Sequence, residues 1–248
     1  MSWLFLKRFL ARPMQVASVI PSSPMLVGRV AETVDFSKAA VIAEFGPGEG
    51  VHTRRILREA PKDARILLFE LDAEFCEHLR KEFGGDPRVE IHHESAVHLP
   101  EKLEAHGLRH CDYVISGIPF SIMDAALKQK ILHAVFQSLS DEDHAAFVIY
   151  QVTRELVGHA RQFPSVRSRL CLWNLPPMYV TVFSKQPAPA FEAEPPLDLF
   201  PVPLWPRAFP GWAKRWISER YRSYRSDAPC SRQQIDSRRT PDRVPQRP

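Results

Sequence analysis

The amino-acid sequence predicts an α/β fold: a mostly parallel seven-stranded sheet with a terminal antiparallel hairpin and helices on both faces. Three observations predict it. Between Lys38 and Gln151, five short apolar runs alternate with helical segments, the pattern of parallel strands covered on both faces. After Gln151 the alternation stops, and two β-rich runs flank Leu175-Pro176-Pro177. A glycine-rich turn, Gly46-Pro47-Gly48-Glu49-Gly50, joins the first apolar run to the first helix of the alternation.

The strands are expected at Ala39–Phe45, Ala64–Leu71, Arg88–His93, Tyr113–Ser116 and Ala145–Gln151. Helices fall between them at Val51–Glu59, Ala73–Phe83, Pro100–His106 and Asp124–Ser138. The second of these is closed by Gly84-Gly85, and the last is amphipathic. Arg169–Asn174 and Met178–Lys185 form the expected hairpin. The domain proper therefore spans residues 24–185.

The flanks read differently. Over Met1–Arg12 a helical wheel puts Trp3, Phe5, Leu6, Phe9 and Leu10 on one face and Lys7, Arg8 and Arg12 on the other. Pro13 stops that helix, and no cleavage site for a signal peptide follows it. Residues 13–23 then lead towards the glycine turn, so residues 1–23 are read as an amphipathic helix and a segment that covers the cofactor. Residues 186–210 contain eight prolines and read as a stiff linker. Gly211–Arg225 is again amphipathic: Trp212, Trp216, Ile217, Tyr221 and Tyr224 oppose Lys214, Arg215, Arg222 and Arg225. Residues 226–248 carry few apolar side chains, the composition of a disordered tail.

Composition excludes several classes. The chain has 248 residues, 44% hydrophobic and 25% charged, an ordinary globular balance. No run approaches the ~18 apolar residues of a membrane span. The net charge of +4 is uneven, because residues 207–248 hold eleven basic and four acidic side chains. The remainder is slightly acidic, unlike a basic nucleic-acid domain. Cys76, Cys111, Cys171 and Cys230 are scattered, as in a reduced cytoplasmic protein. His106 and His110 stand four apart, but Gly107 lies between them, and adjacent His92 and His93 would face opposite sides of a strand. No metal site is expected.

The chemistry centres on Glu44-Phe-Gly-Pro-Gly-Glu-Gly50, between strand and helix. Gly46, Gly48 and Gly50 leave room for a ligand against the backbone and permit positive φ. Glu70, twenty residues after Gly50 at the end of the second strand, is placed to accept hydrogen bonds from a ribose. A nucleoside cofactor follows. Dinucleotide sites use G-x-G-x-x-G, and here the third glycine comes one residue early. Glu44 and Glu49 beside the turn would repel a pyrophosphate and suit a cationic sulfonium, which favours S-adenosylmethionine.

The same turn resembles the first motif of Rossmann-like class I S-adenosylmethionine-dependent methyltransferases. Four further segments resemble the bacterial phospholipid N-methyltransferase family, which is related to the ribosomal RNA adenine dimethylases. They are residues 9–23, Phe69-Glu-Leu-Asp72, Ser116-Gly-Ile-Pro-Phe120 and Asn174-Leu-Pro-Pro-Met-Tyr-Val180. The resemblance covers residues 5–185. It implies that Glu44 and the three glycines line the methionine moiety, that Glu70 binds ribose, and that Ser95 and Ala96 lie near adenine.

The resemblance places Ser116–Phe120 where adenine N6-methyltransferases carry Asn/Asp-Pro-Pro-Tyr/Phe to hold the target amine and stack on the base. Ser116 replaces the amide or acid, and Gly117-Ile118 replaces a rigid proline. Phe120 is retained and could face the sulfonium or a methylated ammonium. Tyr150, ending the fifth strand, points to the same edge and could orient an amine. The expectation is stepwise methylation of phosphatidylethanolamine towards phosphatidylcholine at an anionic membrane surface, on the cytoplasmic face, with no nucleic-acid partner. The alternatives are a nucleic-acid adenine methyltransferase, a non-catalytic, cofactor-binding membrane protein, and a methyltransferase of another amine lipid, such as ornithine lipid, or of a small molecule.

Overall fold

A computed structural model describes residues 22–172, 174 and 177–186. The expected Met1–Arg12 helix, residues 13–21, the linker beyond Gln186, the Gly211–Arg225 helix and the tail lie outside the described residues.

The described chain begins with α1 (Pro24–Ala31), which the sequence reading did not assign. Ser23 caps it by accepting from Leu26 N at 3.1 Å, and Pro24 occupies the first turn, where a missing N–H costs nothing. Then follow β1 (Val41–Phe45), α2 (Val51–Glu59), β2 (Arg65–Phe69), α3 (Ala73–Phe83), β3 (Val89–His92), α4 (Leu99–Ala105), β4 (Tyr113–Ser116), α5 (Ala125–Ser138) and β5 (Ala146–Gln151). The last two strands are β6 (Ser165–Cys171) and β7 (Met178–Ser184). Local signals fix several ends. Asp72 caps α3 through Glu74 N and Phe75 N, and Asp124 caps α5 through Leu127 N at 2.7 Å.

The seven strands form one sheet in the order β3-β2-β1-β4-β5-β7-β6. The first five are mutually parallel, and β7 inserts antiparallel between β5 and β6. The expected hairpin is therefore present, but its first strand begins four residues before the expected Arg169 and stops at Cys171. The cause is an edge strand's alternation: Arg167 and Arg169 are exposed and interrupt the apolar pattern that marks the inner strands.

Both faces of the sheet are covered. Val41, Ala43, Phe45, Val114, Phe147 and Ile149 belong to one apolar cluster, and Ile42, Ile66, Leu68, Ile115 and Val148 to the other. Chain order reverses between β1 and β4, so their carboxyl ends open a crevice at the switch point. The glycine turn leaves β1 there, and Gly117 leaves β4 there with its N–H bonded to Phe45 O at 2.9 Å. Among the described residues, no helix is long and apolar enough to cross a membrane.

Candidate active site

The turn after β1 is built from three glycines with positive φ: Gly46 (65°), Gly48 (55°) and Gly50 (72°). Gly50 also cannot carry a side chain, since a Cβ there would lie 2.3 Å from Phe83 of α3. Glu44 is 1% exposed on β1. Its Oε2 accepts from Thr53 Oγ1 at 2.7 Å, while Oε1 is buried with no partner. Burial pushes this carboxyl up to about 7; the Thr53 bond opposes the rise and the Glu70 charge adds to it. A buried carboxylate with an unused oxygen is suited to a cationic group of a ligand.

Glu70 lies just beyond β2 with its carboxylate already engaged. Oε2 accepts from Gly48 N at 3.1 Å, and Oε1 accepts from Leu71 N at 2.8 Å and Asp72 N at 3.0 Å. The side chain thus fastens the glycine turn to the end of β2. Burial raises its carboxyl above the usual range, and the three backbone donors pull it back. Ser95 and Ala96 follow β3 as expected. Ser95 Oγ faces Val97 N at 3.5 Å at the start of a short 3₁₀ turn, and Ala96 packs into the core.

On the other side of the crevice, Ser116 is 0% exposed and its Oγ has no partner. Gln151 braces the loop by donating from Nε2 to Ile118 O at 3.0 Å, and its Oε1 is also buried and unpartnered. Tyr150 reaches over Gly117: a Cβ at position 117 would lie 2.3 Å from the phenol oxygen. His52, 5% exposed in the first turn of α2, stacks on the Tyr150 ring with centroids 4.5 Å apart. Phe120 departs from the expectation. Its ring is 1% exposed and meets Phe147 edge-on at 6.3 Å, so its faces belong to the core rather than to a ligand.

This geometry sets the glycine turn, with its buried and half-unpartnered Glu44, across the crevice from the Ser116–Phe120 loop. A family model, ribosomal RNA adenine dimethylase, matches residues 17–217, four-fifths of the chain. The chain belongs to the ribosomal RNA adenine dimethylase family. As a member it is a methyltransferase, and S-adenosylmethionine is its methyl donor. It is 28% identical over 138 residues to an ornithine lipid N-methyltransferase of Singulisphaera acidiphila, spanning 56% of this chain and 72% of the relative. It is 29% identical over 106 residues to ribosomal RNA small subunit methyltransferase A of Parasynechococcus marenigrum, spanning 43% and 34%. Its fold matches an O-methyltransferase from Bacillus cereus in complex with SAH, with a TM-score of 0.54, 15% identity and coverage of 75% and 92%.

The residues present in this family member fit that cofactor. The unpartnered Glu44 Oε1 suits its ammonium or sulfonium charge, and the glycines leave the backbone open beside it. The sequence expected Glu70 to accept hydrogen bonds from the ribose. Three of its roughly four acceptor sites are taken by backbone N–H groups, so the structure leaves it about one. The sequence reading passed over His52, Thr53, Gln151 and Ser22. Only the PSS run at residues 21–23 and the position of His52 directly after the glycine turn signalled them.

The sequence singled out no histidine cluster; in the structure His106 lies with His92 and Glu90, their ligand-capable atoms within 4.8 Å of one another. Glu90 is already ion-paired with Arg65 and in contact with His106 Nε2, at the outer edge of the sheet.

Proposed function

We propose that this methyltransferase transfers methyl groups to the amine headgroup of a phospholipid, converting phosphatidylethanolamine stepwise towards phosphatidylcholine. The observation that carries the reading is the pairing of Gly117 with Tyr150. The phenol oxygen fills the space where residue 117 would carry a side chain, so the loop offers the amine bare backbone and one hydroxyl. Phe120, with its ring packed in the core, has no open face on which a nucleobase could stack. Such a site suits a small, flexible amine better than a planar base. Similarity to an ornithine lipid N-methyltransferase supports the same substrate class.

S-adenosylmethionine supplies an electrophilic methyl group when bound. The protein's part is alignment: the amine must meet the methyl carbon in line at near-attack distance, with its lone pair free. Ser116 Oγ, Gln151 Oε1 and Tyr150 Oη are the polar atoms of the loop and its supports that could accept amine N–H bonds. Docking on an anionic membrane through the basic, aromatic Met1–Arg12 segment would bring lipid headgroups to the crevice from the cytoplasmic side.

Adenine N6-methylation of ribosomal RNA is the second reading, favoured by the family match and the RNA-modifying relatives. Incubation with labelled S-adenosylmethionine, mixed amine-lipid vesicles and ribosomal RNA separates the two. Label is expected in the lipid fraction, and label confined to RNA would overturn the lipid reading.

A further inference from the structure

A second group of side chains lies away from the crevice, on the edge strand. Glu90 and His92 stand two apart on β3, so both point to one face of the sheet. They pair in register with Leu67 and Phe69, which belong to the apolar cluster that also holds Leu99 and Leu103 of α4. His106 caps the C-terminal end of that helix. Strand and helix end thus bring a carboxylate and two imidazoles together, with ligand-capable atoms within 4.8 Å of one another. His106 follows His92 by fourteen residues, which is no common zinc spacing, so the group forms only in the fold.

Two features separate this group from a solvated salt bridge. The first is His92. Its Nε2 is buried with no hydrogen-bond partner among the described residues, and its ring centroid lies 5.8 Å from that of His106. A ring nitrogen out of water with no partner is costly, and a metal ion is one group that can satisfy it. The second is the division of Glu90: Arg65 holds Oε1, while Oε2 faces His106 Nε2. An outer partner that fixes one oxygen and leaves the other to the imidazoles is how a carboxylate ligand is oriented. Lys102 acts on His92 electrostatically, but its ammonium is paired with Glu94 at 2.6 Å. Arg65 and Lys102 therefore balance Glu90 and Glu94, and no net positive charge repels a cation. None of the three side chains is fully buried, which leaves a path from solvent. Two nitrogens and one oxygen select a borderline divalent ion such as zinc, since calcium and magnesium prefer oxygen alone. Around a tetrahedral zinc the three atoms would stand roughly 3.4 Å apart, within reach of side-chain rotation, with water in the fourth position.

We propose that Glu90, His92 and His106 bind one divalent ion of the zinc class, which clasps edge strand β3 to the end of α4. His92 O accepts from Glu70 N at 3.0 Å, so the clasp braces the strand beside the cofactor turn. The proposal does not depend on which acceptor is methylated.

The test is made on the full-length chain, stripped with a chelator and titrated with zinc alone. Calorimetry is expected to show one ion per chain with a Kd of about 10 μM or tighter. At a hundredfold excess over that Kd, the melting temperature should rise by about 5 °C or more. His106→Gln and Glu90→Gln should each weaken zinc binding at least about tenfold, while His110→Gln, outside the group, should leave it unchanged. Magnesium should give no shift in melting temperature. Cobalt in place of zinc should give visible bands without thiolate charge transfer, which separates this site from one at a cysteine. Absence of stoichiometric binding, full affinity in His106→Gln or Glu90→Gln, an equal loss in His110→Gln, an equal shift with magnesium, or a thiolate band would overturn the proposal. If a ligand variant does not fold, nitrogen NMR of the wild type decides. Zinc must then shift the ring signals of His92 and His106, and shifts confined to other histidines would overturn the site.

Discussion

Removing the Glu70 carboxylate deprives three backbone N–H groups of their acceptor, including that of Gly48 in the cofactor turn. Hydrogen bonds to a charged group contribute roughly 1.5–3 kcal/mol each. Glu70→Ala is therefore expected to lower affinity for S-adenosylhomocysteine by at least about tenfold in calorimetric titration, and to lower the melting temperature as well. Unchanged affinity in a folded variant would show that neither the turn nor the ribose depends on it. Glu44 makes a different prediction. Its carboxyl titrates near 7 in the free protein, and a cationic cofactor needs it ionised. Affinity should then rise with pH between 6 and 8, by at most about tenfold per unit below the pKa, and level off above it. The stability of the free protein moves the other way. The folded state holds a proton that the unfolded chain has lost between pH 4.5 and 7, so stability falls as pH rises through that window. Glu44→Gln should flatten the binding profile; an unchanged profile in that variant would assign the titration to another group.

Among the elements, the glycine turn with α2 and the loop after β4 form the two sides of the crevice, and both are held by the ends of neighbouring strands. Gly46 N bonds Phe69 O at 2.8 Å, and Gly117 N bonds Phe45 O at 2.9 Å. The flanking segments are expected to serve a different step, delivery of the substrate. Met1–Arg12 and Gly211–Arg225 each combine aromatic residues with basic ones, and a basic residue near an anionic bilayer contributes about 1 kcal/mol. Deleting Met1–Arg12 should abolish flotation with anionic vesicles and lipid methylation while leaving cofactor affinity intact. Loss of cofactor affinity with vesicle binding preserved would make that segment a cover for the pocket rather than an anchor. Truncation after Lys185 should weaken vesicle binding without changing thermal stability. A loss of stability with vesicle binding intact would make Trp212 and Trp216 packing residues of the domain.

At the scale of the whole molecule, the parts legible in the sequence are those that local rules decide. The bounds of Val51–Glu59, Ala73–Phe83 and Tyr113–Ser116 match the expectation because Gly50, Asp72 and Gly84 mark the helix ends and unbroken apolar residues mark the inner strand. Pro24–Ala31 was not legible because eight residues give too short a period, and Ser165–Cys171 because an edge strand alternates with arginine. In the site, Glu44, the three glycines and Glu70 could be read from spacing after a strand. His52, Ser22 and Gln151 could not, since residues thirty and more positions apart meet only after the sheet has formed. Phe120 was misread because a motif fixes the place of a ring and not the side on which it packs. The central claim, that the crevice between β1 and β4 methylates a lipid amine, is tested most directly by mass spectrometry of phosphatidylethanolamine in anionic vesicles after incubation with the full-length chain and S-adenosylmethionine. The account predicts headgroups heavier by successive methyl groups, and loss of the product in Tyr150→Phe. Unmodified lipid beside methylated adenine in added ribosomal RNA would contradict it.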